Sequence, residues 1–191
     1  MNINPIKLKG NWDEGYALDN HVVSSTPKGE NVYGHIEYDT VRSELGELLF
    51  QFKYRNKYEC INSIIELIKP FLNAWEALKD VNIVLPVPPS KQRVYQPSVE
   101  IARAISEYLN LSFTDKVLEK TSTEQSKNMN RADKNLKNSF VAKVKAKRPH
   151  NILLVDDLFS TGESFRECVS TLKQDPNLKK IFVLAMTRAR G

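Results

Sequence analysis

The chain has 191 residues, 41% hydrophobic and 27% charged, with a net charge of +5, seven glycines and two cysteines. That profile fits one globular domain and excludes a disordered chain, and the apolar runs are too short to span a membrane. No glycine precedes a lysine and no two glycines stand two apart, which excludes the GxxxxGK(S/T) phosphate loop and the GxGxxG dinucleotide loop.

Residues 1–15 show no clear period and no apolar core of a signal peptide, so a reducing, cytoplasmic setting is expected. Residues 16–40 read as extended chain around a turn at Thr26-Pro27-Lys28-Gly29. Val41, Leu45, Leu48, Leu49 and Phe52 fall on one helix face. A second helix carries Ile61, Ile64, Ile65, Ile68, Leu72 and Trp75, with Pro70 as a kink. Ile83-Val84-Leu85 reads as a buried strand closed by Pro86-Val87-Pro88-Pro89, and Ser98 to Leu109 as a helix with Ala102, Ile105 and Leu109 inward. Residues 121–138 are almost wholly polar and read as a mobile loop running into a short helix. Ile152 to Val155 is a second buried strand, Phe165, Cys168, Val169 and Leu172 the stripe of a helix, and Ile181 to Met186 a last strand. Continuous apolar strands alternating with amphipathic helices predict an α/β fold: a mostly parallel twisted sheet flanked by helices.

Cys60 and Cys168 are too few for a four-cysteine zinc site or a disulfide framework and are expected to be inert, buried thiols. His21, His35 and His150 have no metal-site spacing, and Trp12 and Trp75 read as packing rather than base-stacking platforms. Charge is uneven. Lys116 to Arg148 holds ten basic residues against three acidic ones, a segment suited either to an anionic ligand or to a solvated face.

The stretch richest in chemistry is NILLVDDLFSTGES, Asn151 to Ser164. An apolar strand runs into Asp156-Asp157, and ligands of open α/β sheets bind at the carboxyl ends of strands. Two carboxylates there can accept hydrogen bonds from vicinal hydroxyls or help hold a divalent cation. The turn Ser160-Thr161-Gly162-Glu163-Ser164 offers hydroxyls and backbone N–H groups at a helix start, an anion site for one phosphate. Gly162 supplies the φ freedom that such a turn needs. An acid pair beside a monophosphate pocket describes a ribose 5-phosphate site. The alternatives are the magnesium-binding strand of a P-loop ATPase, whose phosphate loop is missing; a receiver-domain acid pocket, which lies near the N-terminus of its fold; and a structural acid pair.

The stretch resembles the 5-phosphoribosyl 1-diphosphate (PRPP) signature of the type I phosphoribosyltransferases. The order of motifs from about 35 to 190 is similar to the ComF-like, competence-related branch: Phe52-Lys53-Tyr54-Arg55, LPVPPSKQR from Leu85 to Arg93, and Gln125-Ser126 followed by Arg131, Asn135 and Phe140. The resemblance implies that residues 1–80 are a small N-terminal hood with two helices, part of the same domain as the core at 81–191. It implies that Asp156 and Asp157 contact the ribose hydroxyls of PRPP at the catalytic centre, and that Ser160, Thr161, Gly162, Glu163 and Ser164 surround its 5-phosphate. Ser90, Lys91 and Arg93 would bind diphosphate together with Mg²⁺. Gln125, Ser126 and Arg131 would belong to a flexible loop closing over the ligand, and Lys53 and Arg55 are further ligand-contact candidates. Mg²⁺ would come mainly through PRPP rather than by direct ligation.

The chain lacks the branch's four-cysteine zinc module, reads Arg93-Val94-Tyr95-Gln96-Pro97 where the branch has RGFNQ, and carries Phe159 and Glu163 at positions of other character. The expected activity is transfer of a phosphoribosyl group from PRPP to an unidentified nitrogen acceptor with release of diphosphate. The alternative is a non-catalytic protein that handles single-stranded DNA or senses PRPP. A homodimer is a further expectation, and a membrane partner is not expected.

Overall fold

The computed structural model describes residues 3–31, 33–89, 94–121 and 139–189. In chain order its strands are β1 (Ile6–Lys7), β2 (Glu14–Asn20), β3 (Val22–Glu30), β4 (Ile36–Arg42), β5 (Ile83–Pro86), β6 (Ser112–Phe113), β7 (Leu118–Lys120), β8 (Phe140–Ala142), β9 (His150–Phe159) and β10 (Leu178–Arg188). Its helices are α1 (Glu44–Tyr54), α2 (Cys60–Ala74), α3 (Pro97–Leu109) and α4 (Glu163–Leu172), with a 3₁₀ turn at Glu76–Asp80. Six strands form one sheet in the order β1-β2-β10-β9-β5-β6, and all pair in parallel except β1 with β2. The fold is therefore α/β with a mostly parallel central sheet between helices. No helix among the described residues is long and apolar enough to cross a membrane.

Alternation along the central strands explains why they read as unbroken apolar runs. Leu153 and Val155 of β9, with Phe182, Leu184 and Met186 of β10, face a core closed by α1, α2 and α3. Ile152 and Leu154, with Ile181, Val183 and Ala185, face a second core closed by α4 and the β7–β8 hairpin. Both faces of the sheet are covered, so the consecutive positions Ile152–Val155 and Ile181–Met186 are all apolar. The helices supply matching stripes: Leu45, Leu49 and Phe52 from α1, Ile64, Ile68 and Leu72 from α2, and Phe165, Cys168, Val169 and Leu172 from α4. Trp12 and Trp75 are buried, Trp12 edge-on to Phe165 and Trp75 edge-on to Phe182.

Helix ends are set locally. Ser43 caps α1, its hydroxyl accepting from the Gly46 N–H at 3.0 Å, with Glu44 and Glu47 in the first turn and Lys53 in the last. Pro97 opens α3, and Asn110 closes it in the left-handed conformation at φ 53°. Helix α2 continues past Pro70 to Ala74, and Trp75 is its cap rather than part of it.

Four expectations are corrected. The turn of the first hairpin is not at Thr26-Pro27-Lys28-Gly29. Those residues lie in β3, where the register shifts between Pro27 and Gly29, and the chain turns at 31–35. The Asn31 carboxamide oxygen accepts from the Tyr33 and His35 N–H groups, and Gly34 sits at φ +76°, so an Asx turn wins over the proline signal. Val41 belongs to exposed β4, not to the α1 face, because the Ser43 cap starts the helix after it. Cys168 is buried, but Cys60 opens α2 ahead of its apolar stripe and is only partly buried. Finally, β9 does not end at Val155; it runs on through the acid pair to Phe159. The first 80 residues contribute β1 and β2 to the central sheet as well as two helices and the β3–β4 ribbon.

Candidate functional site

A step in the sheet makes the site. Strand β10 follows β9 as far as Arg188 opposite Phe159, whereas β5 stops at Pro86 opposite Val155. The last bond on that side runs from the Val87 N–H to the Val155 carbonyl, 2.8 Å. Beyond it, Asp156 and Asp157 lie on a strand with one edge free of β5, and a cavity of about 370 Å³ occupies the notch. Val87, Pro88 and Pro89 form one wall, Gln96, Pro97 and Ser98 another, Lys53 and Tyr54 of α1 a third. The Ser98 hydroxyl donates to the Val87 carbonyl at 3.0 Å and ties the start of α3 to the end of β5.

Neighbouring side chains on a strand point to opposite faces. Asp157 therefore faces α1 and Asp156 faces α4, and both still line the cavity, because it wraps the open edge. On the α1 side the Lys53 ammonium meets the Asp157 carboxylate at 2.8 Å, with only 23% and 15% of the two side chains exposed. Behind Asp157, the Thr187 hydroxyl donates to its backbone carbonyl at 3.4 Å and meets His21 Nδ1 at 3.1 Å. Burial pushes the His21 pKa down, and the Arg42 charge adds to the effect.

On the α4 side Asp156 accepts from the Asp157 N–H at 2.8 Å. Its pKa is pushed up to about 8, first by loss of hydration and then by the Asp157 charge, while the hydrogen bond and Lys53 oppose the shift. Asp156 and Ser164 also border a second recess of about 60 Å³, lined by Ser160, Thr161, Gly162 and Glu163. Gly162 takes φ +79° at the start of α4, and a Cβ there would come within 2.6 Å of the Phe159 ring. The turn needs glycine both for its backbone and for the space. The Glu163 N–H donates to the Thr161 hydroxyl at 3.3 Å, and the Glu163 side chain is exposed.

The structure thus brings Asp156, Asp157, Lys53 and Ser164 to one cavity and Ser160, Thr161, Gly162 and Glu163 to the recess beside it. Arg55 is not among the lining residues; it caps α1, exposed, with its guanidinium 5.6 Å from the Phe50 ring. Ser90, Lys91 and Arg93, and likewise Gln125, Ser126 and Arg131, lie outside the described residues. Arg166 escaped the sequence reading: its guanidinium donates to the Thr161 carbonyl at 2.9 Å and sets a positive charge beside the turn. A cation four residues after the glycine, one turn into the helix, was the available signal. Tyr54, Gln96 and Ser98 also line the cavity without having been singled out for it. Among the described residues no three His, Cys, Asp or Glu side chains gather as a metal site.

No family model matches the chain, and no curated protein does. Solved structures are similar to it at low identity. The adenine phosphoribosyltransferase of Trypanosoma brucei in complex with AMP, pyrophosphate and ribose 5-phosphate is 12% identical over 97% of this chain and 74% of its own, with a TM-score of 0.47. Another adenine phosphoribosyltransferase is 14% identical over 86% of this chain and 85% of its own, with a TM-score of 0.43. The phosphoribosylpyrophosphate synthetase of Mycobacterium smegmatis is 16% identical over 66% of this chain, with a TM-score of 0.43; the match spans 33% of the synthetase's length.

Proposed function

We propose that the chain binds PRPP and transfers its phosphoribosyl group to a nitrogen acceptor, releasing diphosphate, as a relative of the ComF-like phosphoribosyltransferases. One observation carries the reading: the open edge of β9 presents two aspartate carboxyl groups to a single cavity, and a glycine-centred hydroxyl turn lies at its end. Vicinal hydroxyls donate to carboxylates, and a phosphate accepts from hydroxyls and helix-start N–H groups. The notch therefore suits a sugar diol, and the recess its 5-phosphate, with the Arg166 charge close by.

In this reading Asp156 and Asp157 orient the ribose, and Ser160, Thr161, Gly162 and Ser164 hold the phosphate. Loss of diphosphate leaves an electron-poor anomeric carbon, and positioning with charge stabilisation supplies the rate without a protein nucleophile. Ser90, Lys91 and Arg93 are assigned to the diphosphate on the sequence resemblance alone, and Gln125, Ser126 and Arg131 to a closing loop on the same ground. With two aspartate carboxyl groups and no third ligand gathered among the described residues, the site fits Mg²⁺ carried on the diphosphate better than an all-protein cage. Such an ion neutralises the leaving group's charge.

Calorimetry with PRPP and Mg²⁺ tests the proposal. Wild type is expected to bind and Asp157→Asn to bind at least about 100-fold more weakly, as when a charged partner is lost from a half-buried site. No heat of binding in the wild type at millimolar PRPP would sink the idea. Diphosphate release on screening nucleobases and amines separates the transferase from a PRPP-sensing protein, which binds PRPP and releases none.

A further inference from the structure

Where the chain enters and leaves the β7–β8 hairpin it stands off the sheet, and a recess of about 220 Å³ lies between it and β5 and β9. The walls are Ile83 and Leu85 of β5, Ile152 of β9, Val117 and Leu178, with the His150 ring among them. The recess belongs to the end of β9 opposite the acid pair. His150 opens the strand six residues before Asp156, about 20 Å along an extended chain. Its Nδ1 atom is buried and meets no hydrogen-bond partner among the described residues. We propose that this recess is a second binding site, separate from the phosphoribosyl site, for a neutral, mainly apolar ring that carries one hydrogen-bonding atom for His150.

The walls fix the chemistry of the ligand. An apolar cavity of about 150 Å³ already holds benzene, so this volume admits one ring or two fused rings. A water needs two to four polar partners, a poor match to aliphatic walls. Among the described lining residues the charged ones are Lys145 and Asp175. Lys145 is exposed and keeps its hydration. Asp175 accepts from the Ala146 N–H at 2.7 Å and the Asn177 N–H at 2.9 Å, and these bonds hold its carboxyl below the ordinary range. The carboxylate is thereby served, and a charged ligand would lose its water against the aliphatic walls, so a neutral one fits. The walls are also held in place beforehand. The Asn177 carboxamide donates to the Ala146 carbonyl at 2.7 Å, the His150 N–H to the Asn177 carbonyl at 2.8 Å, and the Lys143 N–H to the Val117 carbonyl at 2.8 Å. Little ordering is left for binding to require. The χ2 torsion of a histidine is soft, so a modest turn of the ring presents Nδ1 to the ligand. That nitrogen donates in one tautomer and accepts in the other, and a bond to it removes the cost of a buried polar atom left unpaired.

The test is methyl and imidazole NMR of the whole chain with two probes of one shape: indole, which carries an N–H, and indene, which does not. Indole is expected to shift the methyl signals of Leu85, Val117, Ile152 and Leu178 and the ring signals of His150 saturably, with a Kd below about 1 mM. Indene is expected to move the same methyls with several-fold lower affinity, the factor that one hydrogen bond supplies. In His150→Phe the two probes should bind alike. Val117→Phe fills the recess and should abolish binding of both. If that variant does not fold, Val144→Phe narrows the recess from its exposed rim and should weaken both. Indole without effect at millimolar concentration overturns the proposal. So do shifts centred away from these residues, equal affinity of the two probes for wild type, or a difference between them that survives in His150→Phe. PRPP binding is read by calorimetry at the other end of β9, so the two readings fail independently.

Discussion

The two sides of the acid pair are built on different principles. Toward α1, Asp157 is neutralised by a full charge, Lys53 at 2.8 Å, delivered by a helix from the other end of the sequence. Toward α4, Asp156 has a backbone N–H and a turn of hydroxyls, and its carboxyl holds its proton far above the ordinary range. A single strand pleat separates the two designs. The difference teaches which half is suited to a charged exchange and which to neutral hydrogen bonding around an anion. It also gives the two aspartates different expected responses to the same substitution.

The largest effect is expected for Asp157→Asn. It removes the charge that faces the Lys53 ammonium at a half-buried position and a diol acceptor at once. PRPP affinity should fall about 100-fold or more, and folding stability by about 1–3 kcal/mol, less than for a fully buried pair because both groups keep some water. Calorimetry and chemical denaturation read the two losses separately. Unchanged stability with lost binding would mean that the ion pair is not a structural element of the empty protein.

The opposite sign is expected for Asp156→Asn. The Asp156 pKa is raised, so the folded state keeps a proton that the unfolded chain releases near the ordinary aspartate value of 3.8. Wild-type stability therefore falls as pH rises from about 4 toward about 8, and the cost is fully present above that range. Asparagine removes the cost and can still accept from the Asp157 N–H. The variant should be more stable than wild type by on the order of a few kcal/mol above pH 8, and the advantage should shrink toward zero near pH 4. Thermal melts between pH 5 and 9 check the slope. A constant difference across that range would show that Asp156 ionises near the ordinary carboxylate range in the folded protein.

How much of this was legible in the sequence differs between the two sides. The α4 side is local: apolar strand, acid pair, hydroxyls and glycine occupy consecutive positions from Ile152 to Ser164, so pattern and composition show the whole device. The α1 side is not. Nothing in a lysine at the end of a helix tells that it will meet an aspartate 104 residues later; that follows from sheet order, with β2 and β10 placing α1 over the end of β9. The extent of β9 was likewise hidden. Strand ends depend on which neighbour stops first, and β5 stops at Pro86 while β10 does not. The misplaced hairpin turn has a third cause: Pro27 and Gly29 are absorbed by a register shift, and Asn31 and Gly34 do the turning.

Gly162→Ala probes the α4 side alone. At φ +79° an alanine is strained, and its Cβ would meet the Phe159 ring at 2.6 Å. A loss of about 1–3 kcal/mol is expected, with weaker binding of both PRPP and ribose 5-phosphate because the 5-phosphate turn is common to them. Should only PRPP weaken, the 5-phosphate would have to be placed elsewhere.

The smallest effect is expected at the far end of α1. Ser43→Ala removes the cap bond to Gly46 and should cost about 1 kcal/mol, a fall in melting temperature of roughly 2–4 °C for a chain of this size. Loss of a cap frays the first turn, whereas Lys53 sits in the last, and between them Leu45, Leu49 and Phe52 pin the helix to the core. Lys53 should therefore stay aimed at Asp157, and PRPP affinity should change by less than about twofold while the melting temperature drops. A loss of affinity of about tenfold or more would show that the α1 side is not a rigid mount. The ion pair would then be held by the whole helix, and the contrast between a long-range charged side and a locally folded hydroxyl side would reduce to one cooperative unit.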